Sequence, residues 1–80
     1  MARIIEPGTN NITGKNIKKA RIRAGLSQKT LSTRLETMAV YVCRGSFSRI
    51  ENGTRTVTDI EIDAISKVLN VSLDELFGRG

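Results

Sequence analysis

Histidine and tryptophan are absent from this 80-residue sequence, and cysteine occurs once, at Cys43. Without histidine the chain cannot form a His-ligated metal site, and it lacks the base of a Ser–His or Cys–His catalytic pair. One thiol cannot complete a zinc site, nor can it form a disulfide within the chain. We therefore expect neither catalysis nor a bound metal or other cofactor.

Long apolar runs are also missing. A membrane-spanning helix needs about 20 apolar residues, and a secretory signal peptide needs an apolar stretch of roughly 7–15 residues. The N-terminal sequence MARIIEPGTNN supplies neither. We therefore expect no membrane contact and a cytoplasmic location, in which the lone thiol stays reduced.

Aromatic residues are few, namely Tyr41, Phe47 and Phe77. The hydrophobic fraction is 39%, so the core must be assembled chiefly from Ile, Leu and Val. A chain of this length forms one small domain. The composition is typical of a compact helical bundle rather than of a disordered segment.

Positive charge is concentrated in the first two-thirds of the chain. Residues 1–55 contain eleven Lys or Arg against three Asp or Glu, for a net charge of +8, whereas residues 56–80 contain two against five, for a net charge of −3. A polyanion would therefore be attracted to one side of the domain. Simple solvation also accounts for such a distribution, so charge alone leaves both interpretations open.

Apolar spacing and capping residues predict five short helices and no strand. The first helix spans residues 13–24, with Thr13 as its N-cap and Gly25 after its end. The second spans residues 28–37 and follows the N-cap Ser27. The other three are predicted from between Cys43 and Ser46 to Asn52-Gly53, from the capping box Thr58–Glu61 to a left-handed Asn70, and over residues 73–77.

Residues 38–46, MAVYVCRGS, separate the second and third helices. Their apolar, β-branched character disfavours a helix. We predict a long turn in which Val40 or Val42 fills the core, with Met38 extending the apolar stripe of the second helix. For Tyr41 core packing is the preferred role, and anchoring of a phosphate or of a protein partner is the alternative.

Three segments of the chain resemble one known family. In chain order they are LSQKTLSTRL (26–35), SFSRIENGTRTVTDIEI (46–62) and KVLNVSLDELFG (67–78). Together they resemble the Cro/cI-type, phage-repressor-like (XRE) helix-turn-helix family. The resemblance implies an all-α, five-helix DNA-binding domain over residues 13–78, whose helix-turn-helix consists of the second and third helices.

The chain ends on both sides of this domain are predicted from their residues. Residues 1–12 contain Pro7-Gly8 and two Asn without periodicity, which predicts an N-terminal arm or a short extended segment, and residues 79–80 are predicted to be a tail. Eleven residues separate Leu35 from Phe47, so the chain resembles the variant of the family that has a longer turn. The longer turn affects the angle at which the third helix docks.

Individual residues take roles from the same resemblance. Four at the start of the third helix would contact base edges: Arg44, Gly45, Ser46 and Arg49. Five would contact phosphates: Ser27, Gln28, Asn52, Thr54 and Arg55. Arg21 and Glu51 would form an internal salt bridge, for which a structural role is the better interpretation.

The implied function is sequence-specific binding of double-stranded DNA by a bacterial or phage-type transcriptional regulator, in its simplest form a repressor. One small module reads few base pairs, so we expect a homodimer on an inverted-repeat operator and association with the nucleoid. Three segments are candidates for the dimer surface: Ile4-Ile5, residues 38–43 and Leu73–Phe77. The alternative is a protein-interaction module of antitoxin or anti-repressor type, with secondary DNA contact.

Overall fold

A computed structural model describes residues 10–79 of the chain, and these residues contain five helices and no strand. The helices are α1 (Gly14–Arg23), α2 (Gln28–Glu36), α3 (Arg44–Glu51), α4 (Asp59–Leu69) and α5 (Leu73–Leu76). The predicted all-α, five-helix fold is confirmed. None of these helices combines the length and the apolar character needed to cross a membrane.

Every helix contributes at least one fully buried side chain to a single core. These side chains are Ile17, Leu31, Leu35, Phe47, Ile50, Ile65 and Leu76. Full burial of such a side chain stabilises the fold by about 1.5–3 kcal/mol. Phe47 is the one aromatic residue at the centre, so the core is aliphatic, as the composition predicts.

The connection between α2 and α3 also contributes to the core, through two valines. Val40 is 9% exposed and Val42 is 3% exposed, so both fill the core rather than one of them. Tyr41 lies between them and is 76% exposed, so the prediction of core packing for Tyr41 is wrong. Because both neighbouring side chains point inward, the tyrosine points outward. Met38 is 39% exposed and does not extend the apolar stripe of α2.

Several predicted helix ends are confirmed. Thr58 accepts a hydrogen bond from the backbone N–H of Glu61, whose carboxylate accepts one from the N–H of Thr58, which completes the capping box. Asn70 ends α4 with φ 56°, in the left-handed region. Ser27 caps α2 by accepting a bond from the N–H of Thr30.

The N-terminal cap of α1 differs from the prediction. The Thr13 side chain makes no capping bond, and the side-chain oxygen of Asn11 accepts from the N–H of Gly14 instead, at 2.7 Å. The Asn11 amide also donates to the carbonyl oxygens of Ile50 and Arg55, at 3.0 and 2.8 Å. One asparagine therefore starts α1 and holds it against the end of α3. Residues 1–9, including Ile4-Ile5, lie outside the described part of the chain, as does Gly80.

Gly14 lies where α1 and α3 pack most closely. A β-carbon at this position would overlap the carbonyl oxygen of Ile50 and lie 3.2 Å from that of Glu51. Both of these groups are backbone and can move only if a helix moves. The close approach of the two helices therefore requires glycine at this position.

We predict that Gly14→Ala lowers the free energy of unfolding by about 1–3 kcal/mol, because overpacking outweighs the better helix propensity of alanine. Gly45→Ala is the matched control, since a β-carbon there meets only the Arg49 guanidinium, 4.0 Å away. That change should leave stability equal or raise it by up to about 1 kcal/mol. Urea denaturation followed by circular dichroism measures both, and equal effects of the two substitutions would contradict the packing argument.

Candidate nucleic-acid interface

α3 has one face in the core and one in solvent. Phe47 and Ile50 are fully buried, which fixes the rotation of the helix about its axis. Arg44, Gly45 and Arg49 are exposed. All four predicted base-contact residues therefore lie on this helix, and the fourth, Ser46, is half-buried.

The start of α3 has a weak cap. Cys43 occupies the N-cap position in extended geometry, but its side chain makes no capping bond. Its Sγ instead lies 3.3 Å from Ser46 Oγ, to which Arg49 Nη2 also donates at 3.3 Å. When the thiol ionises, the Ser46 hydroxyl can donate to sulfur, and this bond lowers the pKa of Cys43 below its usual value. The first-turn N–H groups of α3 receive no side-chain cap from Cys43.

The N-terminus of α2 lies beside that of α3, with a concave surface between them. This cationic cleft has a volume of about 460 Å³. Its lining consists of Arg21, Ser27, Gln28, Lys29 and Arg44. Three of these five side chains are cationic and none is acidic. Two helix N-termini and the exposed cations Lys29 and Arg44 make this surface suited to the phosphates of a nucleic acid, whereas the charge of Arg21 is balanced by Glu51.

Lys29 in this cleft was not predicted from the sequence. It lies in the first turn of α2, directly after Gln28, and is exposed. Its position one residue beyond the predicted phosphate contact was the available signal. Ser27 was predicted to contact phosphate, but its hydroxyl is already used, because it accepts from Thr30 N–H and donates to Thr30 Oγ1.

A buried network joins α1, α2 and α3 behind the cleft. Arg21 donates to both carboxylate oxygens of Glu51, at 2.6 and 3.1 Å. The Glu51 side chain is 2% exposed and that of Arg21 is 12% exposed. Gln28 Nε2 donates to the same carboxylate at 2.9 Å, and Arg21 also donates to the carbonyl oxygen of Leu26 at 2.8 Å. The network fixes the start of α2 relative to α3.

The connection after α3 holds the remaining predicted phosphate contacts. Asn52 and Thr54 are exposed, and Thr54 Oγ1 donates to the carbonyl oxygen of Arg49 at 3.3 Å. Arg55 donates two bonds of 3.0 Å to the Glu61 carboxylate. These bonds, above all, hold the pKa of Glu61 below its usual value and raise that of Arg55. Asn52 and Thr54 are therefore more accessible to a phosphate than Arg55.

Exposed acidic side chains lie mostly elsewhere on the described part of the chain, and the exception is Glu36 at the end of α2. Those exposed on the last two helices are Asp59, Asp63, Asp74 and Glu75. The basic side chains of the cleft and of α3 are therefore separated from the acidic C-terminal helices. A polyanion has one favourable side on which to approach the described part of the chain.

Comparison with known proteins supports the helix-turn-helix that the sequence predicts. A family model described as helix-turn-helix matches residues 17–76. Among solved structures, the restriction-modification controller protein C.AhdI from Aeromonas hydrophila is similar, with a TM-score of 0.71 and 28% sequence identity. The match covers 81% of this chain and 87% of that one. The comparison with curated proteins finds no match. The chain belongs to the XRE-type helix-turn-helix family of DNA-binding transcriptional regulators.

Proposed function

We propose that this regulator binds double-stranded DNA sequence-specifically and acts as a repressor, with α3 in the major groove. The observation that supports this most directly is the exposed α3 face bearing Arg44 and Arg49, which adjoins the cationic cleft. The major groove of B-DNA is wide enough to admit one α-helix. A repressor of this kind acts by occupying its operator.

Phosphate contacts would fix the position of the protein along the duplex. On the α2 side they would come from Gln28, Lys29 and the backbone N–H groups that follow Ser27. On the other side of α3 they would come from Asn52 and Thr54, with a smaller share from Arg55 because Glu61 already binds its guanidinium. Neutralised phosphates release counterions, so affinity should fall as salt rises.

Base recognition would come from the first turns of α3. An Arg that donates two bonds to guanine is the commonest specific contact, and it contributes about 1–3 kcal/mol of discrimination. Arg44 and Arg49 are the candidates for this contact. Ser46 would donate to a base at closer range, and Gly45 would let the helix backbone approach the base edges.

We further propose that two copies bind an inverted repeat. One module contacts few base pairs, and paired half-sites about one helical turn apart double the readout. The α4–α5 side carries exposed apolar residues, Ile60 at 69% and Leu73 at 42%, near the half-buried Phe77. These residues keep the surface around Leu73–Phe77 a candidate for the dimer contact, beside residues 38–43, which expose Met38 and Tyr41. Similarity to C.AhdI suggests control of restriction-modification genes as one biological role.

Selection from a random duplex library tests the proposed function. We expect a palindromic motif that is enriched at low salt and survives about 150 mM salt, because base contacts persist when phosphate attraction is screened. Enrichment only at low salt and without a motif would contradict sequence-specific binding. It would favour the protein-interaction alternative.

We predict that Arg49→Ala weakens binding to the selected duplex by about tenfold and relaxes preference at one base-pair position per half-site. Lys67→Ala is the matched control, since it also removes one exposed positive charge but lies on α4. Fluorescence anisotropy on a set of single-position variant duplexes measures both. An unchanged base preference in the Arg49 variant would refute its role in base reading.

We predict that Glu51→Ala lowers the free energy of unfolding by about 3 kcal/mol, because it leaves Arg21 nearly buried without its partner. Asp63→Ala breaks the exposed ion pair with Lys67 instead and should cost less than about 0.5 kcal/mol. Thermal unfolding compares the two variants. Lost DNA binding at unchanged stability in the Glu51 variant would refute a structural role for the pair.

A further inference from the structure

The connection between α2 and α3 is an ordered segment that holds an exposed tyrosine. Backbone N–H groups of Met38 and Val40 donate to the carbonyl oxygen of Leu35, at 2.9 and 3.0 Å, and that of Ala39 donates to Glu36 at 2.9 Å. Val40 and Val42 then anchor the segment in the core on either side of Tyr41. The backbone position of Tyr41 is therefore fixed.

Ala39 adopts an unfavourable conformation within this segment. Its φ is 60°, in the left-handed region that residues with a β-carbon rarely occupy. The conformation has a local explanation, because the N–H groups of Ala39 and Val40 donate to the carbonyl oxygens of Glu36 and Leu35, as in the left-handed (Schellman) cap that commonly ends a helix. Ala39 thus ends α2 and turns the chain toward Tyr41.

Tyr41 is the aromatic residue that the described part of the chain exposes most. It is 76% exposed, whereas Phe47 is fully buried and Phe77 is half-buried. A ring held in water by two anchored neighbours gains nothing from the core. A tyrosine side chain has one apolar surface and one hydroxyl donor, which suits the sugar and phosphate of a nucleic-acid backbone.

Tyr41 is also close to the end of α3 that adjoins the cationic cleft. Two residues span at most about 7 Å, so the Tyr41 Cα lies within that distance of the Cys43 Cα, at the N-cap of α3. Arg44 follows directly and lines the cleft. If the first turn of α3 lies in the groove, the exposed Tyr41 starts within about 7 Å of the N-cap of the helix that occupies it.

We propose that Tyr41 is a DNA contact whose hydroxyl donates to a backbone phosphate beside the groove that α3 occupies. The inference rests on the proposed function. The contact would set the docking angle of α3, and the extended connection would serve to present it. Because the side chain is neutral, the contact would contribute affinity without contributing to counterion release.

Affinity measurements on Tyr41→Phe test the contact. The protein is titrated with the duplex recovered by selection and with a random duplex of equal length, over a range of salt. We expect binding to both duplexes to weaken by about tenfold, with an unchanged salt slope. Met38→Ala is the control for the connection itself, since Met38 is partly exposed and has no O–H or N–H to donate; its affinity should equal that of the unchanged protein.

Replacing single phosphates of the selected duplex by methylphosphonate locates the contact. At one phosphate per half-site, the replacement should weaken binding by the unchanged protein. The same replacement should not weaken binding by Tyr41→Phe any further, because that variant already lacks the contact. Equal affinities of the unchanged protein and the Phe variant on both duplexes would overturn the contact. So would a Phe variant that binds DNA normally but changes self-association in sedimentation. Equal affinity of the unchanged protein for the two duplexes would instead overturn the proposed sequence-specific function.

Discussion

The buried ion pair between Arg21 and Glu51 is the interaction on which the proposed DNA-binding surface depends. Its two partners come from α1 and α3, and Gln28 at the start of α2 binds the same carboxylate. A charge removed from water is stable only with several well-placed partners. The requirement to satisfy Glu51 therefore fixes the three helix positions that bring the N-termini of α2 and α3 together. Gln28 contributes to this network and to the proposed phosphate contact at once.

Features of the fold that are set by neighbouring residues could be predicted from the sequence. Features that depend on contacts between distant residues could not. The capping box of Thr58 and Glu61 and the left-handed Asn70 are each specified within a few residues, and both appear as predicted. The predicted cap of α1 was wrong because Asn11 takes that role instead of Thr13. Asn11 is held in place by donating to the carbonyl oxygens of Ile50 and Arg55, some forty residues later in the chain. No spacing rule near Thr13 contains that information.

The same distinction applies to the site. Residue types on α3 predict an exposed basic face once Phe47 and Ile50 define the inner one. The sequence could not show that Arg55 is held by Glu61, or that Lys29 joins Arg44 at one cleft, because both depend on how the connections fold. The role of Tyr41 was predicted wrongly because residues 38–43 are apolar throughout, without the alternation of polar and apolar residues that shows which side chains face the core. Only burial of both flanking valines shows which way the ring points.

Within residues 10–79, α3 is the helix that no side chain caps. At the N-termini of α2, α4 and α5, backbone N–H groups donate to the side chains of Ser27, Thr58 and Ser72, and at that of α1 an N–H donates to Asn11. A serine in place of Cys43 would add roughly 1 kcal/mol of helix stability. It would also engage an N–H group at the end of the helix that carries the base-contact candidates. Free N–H groups and the helix dipole favour an anion there. The weak cap of α3 and the left-handed Ala39 that ends α2 thus lie on either side of Tyr41, next to the proposed DNA-binding surface.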